Sequence, residues 1–170
     1  MDITQLIADD HAEQRRLFAQ IDQLTDANPG ALKAIWARLR ALLDAHAEAE
    51  ERFFYPEVLK IGKGAADSDS AADETRDAIK DHNEIRDAAA AVDKEKLGSR
   101  EWFAAVAKAN KANGDHMAEE ERQGLSDFRL HASLELRHTL GVKFAQFSAE
   151  HLTGIKPVDK NVDAYVLENS

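Results

Sequence analysis

The sequence predicts an all-α protein, an up-down four-helix bundle with an additional fifth helix toward its C-terminus. Three observations carry that prediction. Apolar residues recur at helical spacing along nearly the whole chain of 170 residues. The interruptions fall at Asn28-Pro29, Gly62 to Gly64 and Gly98-Ser99, residues that stop or cap helices. And the pair His-x-x-x-Glu occurs twice, at His46 to Glu50 and His116 to Glu120, each inside the apolar stripe of a different helix.

The first helix is expected from about Asp2 to Asp26, with Ile3, Leu6, Ile7, Leu17, Phe18, Ile21 and Leu24 in period and His11 in the gap of the stripe. Asn28 is a suitable N-cap and Pro29 suits the first helical position, so the second helix starts there and runs to about Lys60, with a kink at Pro56. Its stripe of Leu32, Ile35, Leu39 and Leu42 resumes at Phe53, and His46 and Glu50 stand where another Leu belongs. Gly62 and Gly64 end that helix, and residues 65 to 70, small and acidic, read as a surface loop.

The third helix carries Ile79, His82, Ile85, Ala89 and Val92 along one side, until Gly98 closes it and Ser99 caps the next. The fourth carries Trp102, Val106, Ala109, Asn113, His116 and Glu120 and reaches about Gly124. A fifth amphipathic segment, roughly 133 to 151, has Leu136, Leu140, Phe144 and Phe147 at helical spacing before Gly154 and Pro157. The tail from Ile155 is too short and mixed to assign. The expected organisation is one domain, with the four-helix bundle in 1–125 and the fifth helix and tail of 126–170 packed on it.

Composition narrows the function classes. Twenty-two Lys and Arg face 32 Asp and Glu, a formal charge of −10 that repels phosphate backbones and anionic lipid, so neither nucleic acid nor a membrane is an expected partner. The first ten residues hold no basic segment followed by an apolar run, and no apolar run approaches the length of a membrane span; the expectation is a cytoplasmic monomer. The chain has no cysteine, so any metal must be held by nitrogen and oxygen.

The heights of the histidines agree. In an up-down bundle, residues equally far from a connecting loop lie at the same level. His11 stands roughly 15 residues before the first turn and His46 roughly 17 after it, a mismatch of a few ångströms at about 1.5 Å per residue. The His46/Glu50 pair against His82, and His82 against His116, agree equally well. A lone histidine on an apolar face is most often a hydrogen-bonded core residue. Four imidazoles and two carboxylates in one layer are different, because their burial is costly without a common cation. A bis-histidine haem is the nearest rival, and it gains nothing from two Glu in the same layer. Asp10, Asp81 and Asp115, each preceding a site histidine, read as exposed charges, since neighbours i and i+1 point about 100° apart. Glu48, Glu51, Glu119 and Glu121 read as solvated, His131, His138 and His151 as structural or solvated, and Trp36, Trp102 and Phe103 as packing. Phe53 and Phe54 read as walls that keep the site dry.

The combination of Asp10-His11, His46-x-x-x-Glu50 followed by Phe54-Tyr55-Pro56, Asp81-His82, and His116-x-x-x-Glu120-Glu121 resembles the hemerythrin-like, or HHE cation-binding, domains over about residues 1 to 125. The resemblance implies a non-haem centre of two iron ions, oxo- or hydroxo-bridged, in the middle of the bundle. Glu50 and Glu120 would bridge the irons, and His11, His46, His82 and His116 would fill terminal positions. Two departures point away from simple reversible oxygen carriage. Arg86 stands where oxygen carriers of the family have a second histidine on the third helix, and Glu120 stands where they have an aspartate. The family's stand-alone bacterial members favour reaction with a small oxidant, O2, H2O2 or NO, with peroxide removal and oxidative-stress defence foremost. Non-catalytic sensing or storage of oxygen, iron or NO is the alternative.

A guanidinium has no lone pair to offer, so something other than Arg86 completes the coordination there. Water is one candidate. The phenolate of Tyr165, which a returning tail would bring over the open side, is the other. Tyr55, nine residues beyond His46, would face the opposite side of a continuous helix and reads as packing.

Overall fold

A computed structural model describes residues 1–66 and 69–170; positions 67 and 68 of the expected surface loop lie outside the described residues. Among the described residues the structure contains eight helices and no strand. They are α1 (Ile3–Asp22), α2 (Pro29–Phe53), α3 (Tyr55–Ile61), α4 (Ala71–Lys94), α5 (Arg100–Arg122), α6 (Gly124–His131), α7 (Leu134–Glu150) and α8 (Val162–Asn169). The helices α1, α2, α4 and α5 form the bundle: α1 packs on α2 and α5, and α4 packs on α5 and α2, closing a ring of four. This is the expected architecture, and α7 is the fifth helix, lying across α1 and α2.

The starts follow from local chemistry. The side chains of Asp2, Ser70, Ser99, Ser133 and Asn161 each accept from a backbone N–H of the first turn, satisfying a donor the helix itself leaves open. Asn28 differs. It occupies the cap position of α2 but makes no side-chain cap bond, its Oδ1 accepting weakly from Thr25 N at 3.4 Å, so Pro29 marks that start alone. Gly98, at φ +75°, makes the left-handed turn between α4 and α5 that a residue with a Cβ resists. Gly141 lets α7 lie close on the N-terminal segment, since a Cβ there would stand 3.1 Å from Ile3 N.

The second expected helix divides. Pro56 lacks the N–H that would continue the ladder, and the chain turns at Phe54 (φ −97°, ψ −62°) before restarting as α3. The segment 126–131 and the tail also contain helices, α6 and α8, that the sequence pattern left unassigned.

The core has two apolar halves. One contains Leu17, Phe18, Ile21, Leu39, Leu43, Ile85, Val92, Trp102 and Val106, with Trp36 and Trp102 edge to face at 6.1 Å. The other contains Ile3, Ile7, Phe54, Tyr55, Val58, Ile79, Phe128, Phe144 and Phe147. In sequence each site histidine falls between these halves, as His11 does between Ile7 and Leu17 and His82 between Ile79 and Ile85. No helix of the described residues is long and apolar enough to cross a membrane.

Candidate metal centre

The six residues at the middle of the bundle are His11 from α1, His46 and Glu50 from α2, His82 from α4, and His116 and Glu120 from α5. None is more than 5% exposed. Their ligand atoms form two groups that could each hold a metal ion, one of His11, His46, Glu50 and Glu120, the other of Glu50, His82 and His116. Glu50 belongs to both. Its Oε1 lies 2.9 Å from His46 Nε2 and its Oε2 lies 3.2 Å from His82 Nε2, one oxygen toward each group. Glu120 belongs to the first group only: Oε2 lies 3.1 Å from His11 Nε2, while Oε1 accepts from the Tyr55 hydroxyl at 2.5 Å.

The fit to cations rests on atoms that have no other partner. His11 Nε2, His46 Nε2, both oxygens of Glu50 and Glu120 Oε2 are buried and make no aligned hydrogen bond, although His11 Nε2 lies 3.1 Å from Glu120 Oε2, His46 Nε2 2.9 Å from Glu50 Oε1 and Glu50 Oε2 3.2 Å from His82 Nε2. Close approach without hydrogen-bond alignment is what ligands of a common ion show, since two donors about 2.1 Å from one ion at a right angle are about 3 Å apart. The two Nε2 atoms of His82 and His116 face each other at 3.1 Å. Two lone pairs so placed repel unless a cation or a proton intervenes.

The outer nitrogens explain why Nε2 is the one presented. Glu121 Oε1 accepts from His11 Nδ1 at 2.9 Å, Asp10 Oδ2 from His46 Nδ1 at 3.1 Å, and Glu51 Oε1 from His82 Nδ1 at 2.9 Å. Asp81 Oδ2 stands 3.5 Å from His116 Nδ1. A carboxylate accepts only, so Nδ1 of His11, His46 and His82 carries a proton and Nε2 is the nitrogen left for a cation, as in metal-binding carboxylate–histidine pairs.

Electrostatics agree with an ionised carboxylate core. Burial alone would raise Glu50, but the His46 and His82 imidazoles outweigh it and hold the carboxyl well below the usual range. Burial alone would lower His82, but Glu50 and Glu51 overcome it and raise the imidazole to about 9. His46 is likewise raised well above its ordinary value, against its burial, by Glu50 and Asp10. Without a cation the Glu50 carboxylate is therefore compensated by protons on His46 and His82.

Several expectations need correction. Glu51 is not solvated: it is buried between His82 and Arg86, whose Nη2 donates to it at 2.6 Å. Glu48 is buried against Arg52 and Lys160. Glu121 is half-buried and shared by His11 and Arg15. Asp10 and Asp81 are not bystanders either, because each serves the histidine of a neighbouring helix in place of its own. Glu119 and Asp115 are exposed, as expected. Tyr55 reaches the site because the break at Phe54 cancels the 100° per residue extrapolation, which holds only within one continuous helix.

Tyr165 is also corrected. Its hydroxyl donates to the backbone carbonyl of Glu51 at 2.5 Å and so is turned to the main chain of α2. His131 pairs with Asp127, His138 meets Met1, and His151 stacks on Phe147 at 4.0 Å, all structural positions.

Residues 2–125 match the family model described as the hemerythrin HHE cation binding domain. Neither the comparison with curated proteins nor that with solved structures finds a match.

Proposed function

The chain belongs to the hemerythrin HHE cation-binding family, and from that premise we propose that it holds two iron ions and uses them to remove hydrogen peroxide. The observation that supports this reading is Glu50, whose two oxygens are directed to two different ligand groups. His11, His46 and Glu120 would complete the first iron site with Glu50, and His82 and His116 the second. A pair of irons supplies reversible one-electron chemistry, so that two peroxide molecules give one O2 and two waters with no outside reductant.

The protein's own groups prepare that chemistry. The second group has one protein ligand fewer than the first, three against four, and Arg86, which has no lone pair to offer, donates to Glu51 behind His82. Tyr55 keeps a proton at Glu120 Oε1, the one hydroxyl placed on a ligand carboxylate among the described residues. Phe54 and Phe128 pack beside Tyr55, and Phe144 stands edge to face with His46, ring centroids 6.0 Å apart. A cleft between α4 and α5 reaches His116, Glu120 and Tyr55, with free volume of about 10 Å³, room for about one water-sized molecule. That room suits a small oxidant.

Peroxide added to iron-loaded protein should decay with O2 evolving at half the molar amount, and the activity should scale with iron content. Iron-loaded protein that leaves peroxide intact would remove the enzymatic reading and leave sensing or storage.

A further inference from the structure

The cleft that reaches His116 and Glu120 is walled by carboxylates. Asp77 and Glu119 are exposed at its mouth, Glu74 and Asp81 lie along it, and Glu120 stands at its floor. Among the described residues, no lysine or arginine lines it. The other groove that touches the layer, over His46, is lined by Arg38 as well as by Asp10 and Glu13. The charged residues of the first approach are carboxylates alone, whereas the second mixes both signs and carries less net negative charge.

Glu74 is the second observation. It is only 4% exposed, its Oε1 accepts from Ala65 N at 2.8 Å, and its buried Oε2 has no hydrogen-bond partner. A carboxylate oxygen left without a donor in a buried wall is costly, and a passing cation removes the cost. Burial and the nearby Asp127 push this carboxyl up to about 7, against the Ala65 N–H, which reflects the cost of leaving its charge there without a cation. Asp81 continues the path inward, since its Oδ2 also stands 3.5 Å from His116 Nδ1. Hydrated divalent cations are concentrated by a cleft lined with one sign of charge, and a relay of carboxylates can replace their waters stepwise.

We propose that the cleft between α4 and α5 is the route by which divalent metal ions reach the centre, with Asp77 and Glu119 gathering the ion and Glu74 and Asp81 passing it to His116 and Glu120. This rests on the metal-binding reading above and adds to it the path and its residues. It predicts an effect on the rate of loading and none on the final content, because none of the three residues changed below is a ligand.

The test follows uptake of cobalt(II), whose visible bands grow on coordination, by metal-free full-length protein. The variant is Glu74→Gln/Asp77→Asn/Glu119→Gln. Its control, Asp22→Asn/Glu95→Gln/Glu101→Gln, makes the same number of carboxylate-to-amide changes at exposed positions at the opposite end of the bundle, and both are compared at pH 8, where Glu74 is largely ionised. The route variant should load about tenfold more slowly than wild type at low salt and reach the same final cobalt content, and the control should load at nearly the wild-type rate. The wild-type advantage should shrink as salt is added. Equal slowing of variant and control would show that net charge alone matters and overturn the route, as would unchanged loading in the route variant. A wild type that binds no cobalt at equilibrium would instead remove the metal-binding reading beneath it.

Discussion

His82 shows how each buried group depends on its neighbours. Its Nδ1 is held by Glu51, Glu51 is held by Arg86, and its Nε2 faces Glu50 and His116. In metal-free protein the imidazole is raised from an ordinary 6.5 to about 9. The stability contributed by a raised group is fully present below the unfolded value near 6.5 and is lost as pH rises through about 9. Glu74, raised to about 7, acts in the same direction. Glu50 has the opposite sign: depressed when folded, its contribution is present above about 4.5 and lost as pH falls. Metal-free protein should therefore be most stable near pH 5 to 6.5 and melt earlier at pH 9.5, whereas metal-loaded protein should lose less, because the ion uses the Nε2 lone pairs in place of protons. Thermal melts of both forms across this range check it; a metal-free melting temperature that rises toward pH 9.5 would contradict the assignment.

At the scale of elements, α7 is the cover of the site. It lies across α1 and α2, and Phe144, 2% exposed, sets its ring edge to face with His46. Truncation of a buried phenylalanine costs about 3 to 5 kcal/mol through lost transfer energy and the cavity left behind. Phe144→Ala should therefore lower stability by that amount in denaturant unfolding and also speed the loss of metal to a chelator. Lowered stability with unchanged metal loss would mean that α7 only packs and does not seal. The break between α2 and α3 is the other decisive element. It takes Tyr55 from the outside of a straight helix to Glu120.

The bundle and its ligand layer were legible because periodicity and spacing report burial directly: His46 and Glu50 replace a Leu in a stripe, and Pro29, Gly98 and Ser99 mark helix ends whatever the packing. What was hidden depends on a second helix. Asp10 cannot reach its own His11, and only the packing of α1 on α2 shows that it serves His46. Glu51 lies next to a ligand in sequence and looked solvated. Arg86, Tyr165 and Lys160, from α4 and the tail, bury it.

The whole molecule places a polar layer between two apolar halves, and its stability cannot be separated from what fills that layer. An ion that binds only the folded state at a hundredfold excess over its dissociation constant adds about 2.7 kcal/mol. The central claim is that Glu50 joins two sites. Iron content after anaerobic reconstitution measures it directly, in wild type and in Glu50→Ala. The account predicts about two irons per chain in wild type and no more than one in the variant, since the variant removes the only residue common to both groups. One zinc and no iron in wild type, or two irons retained by Glu50→Ala, would contradict it.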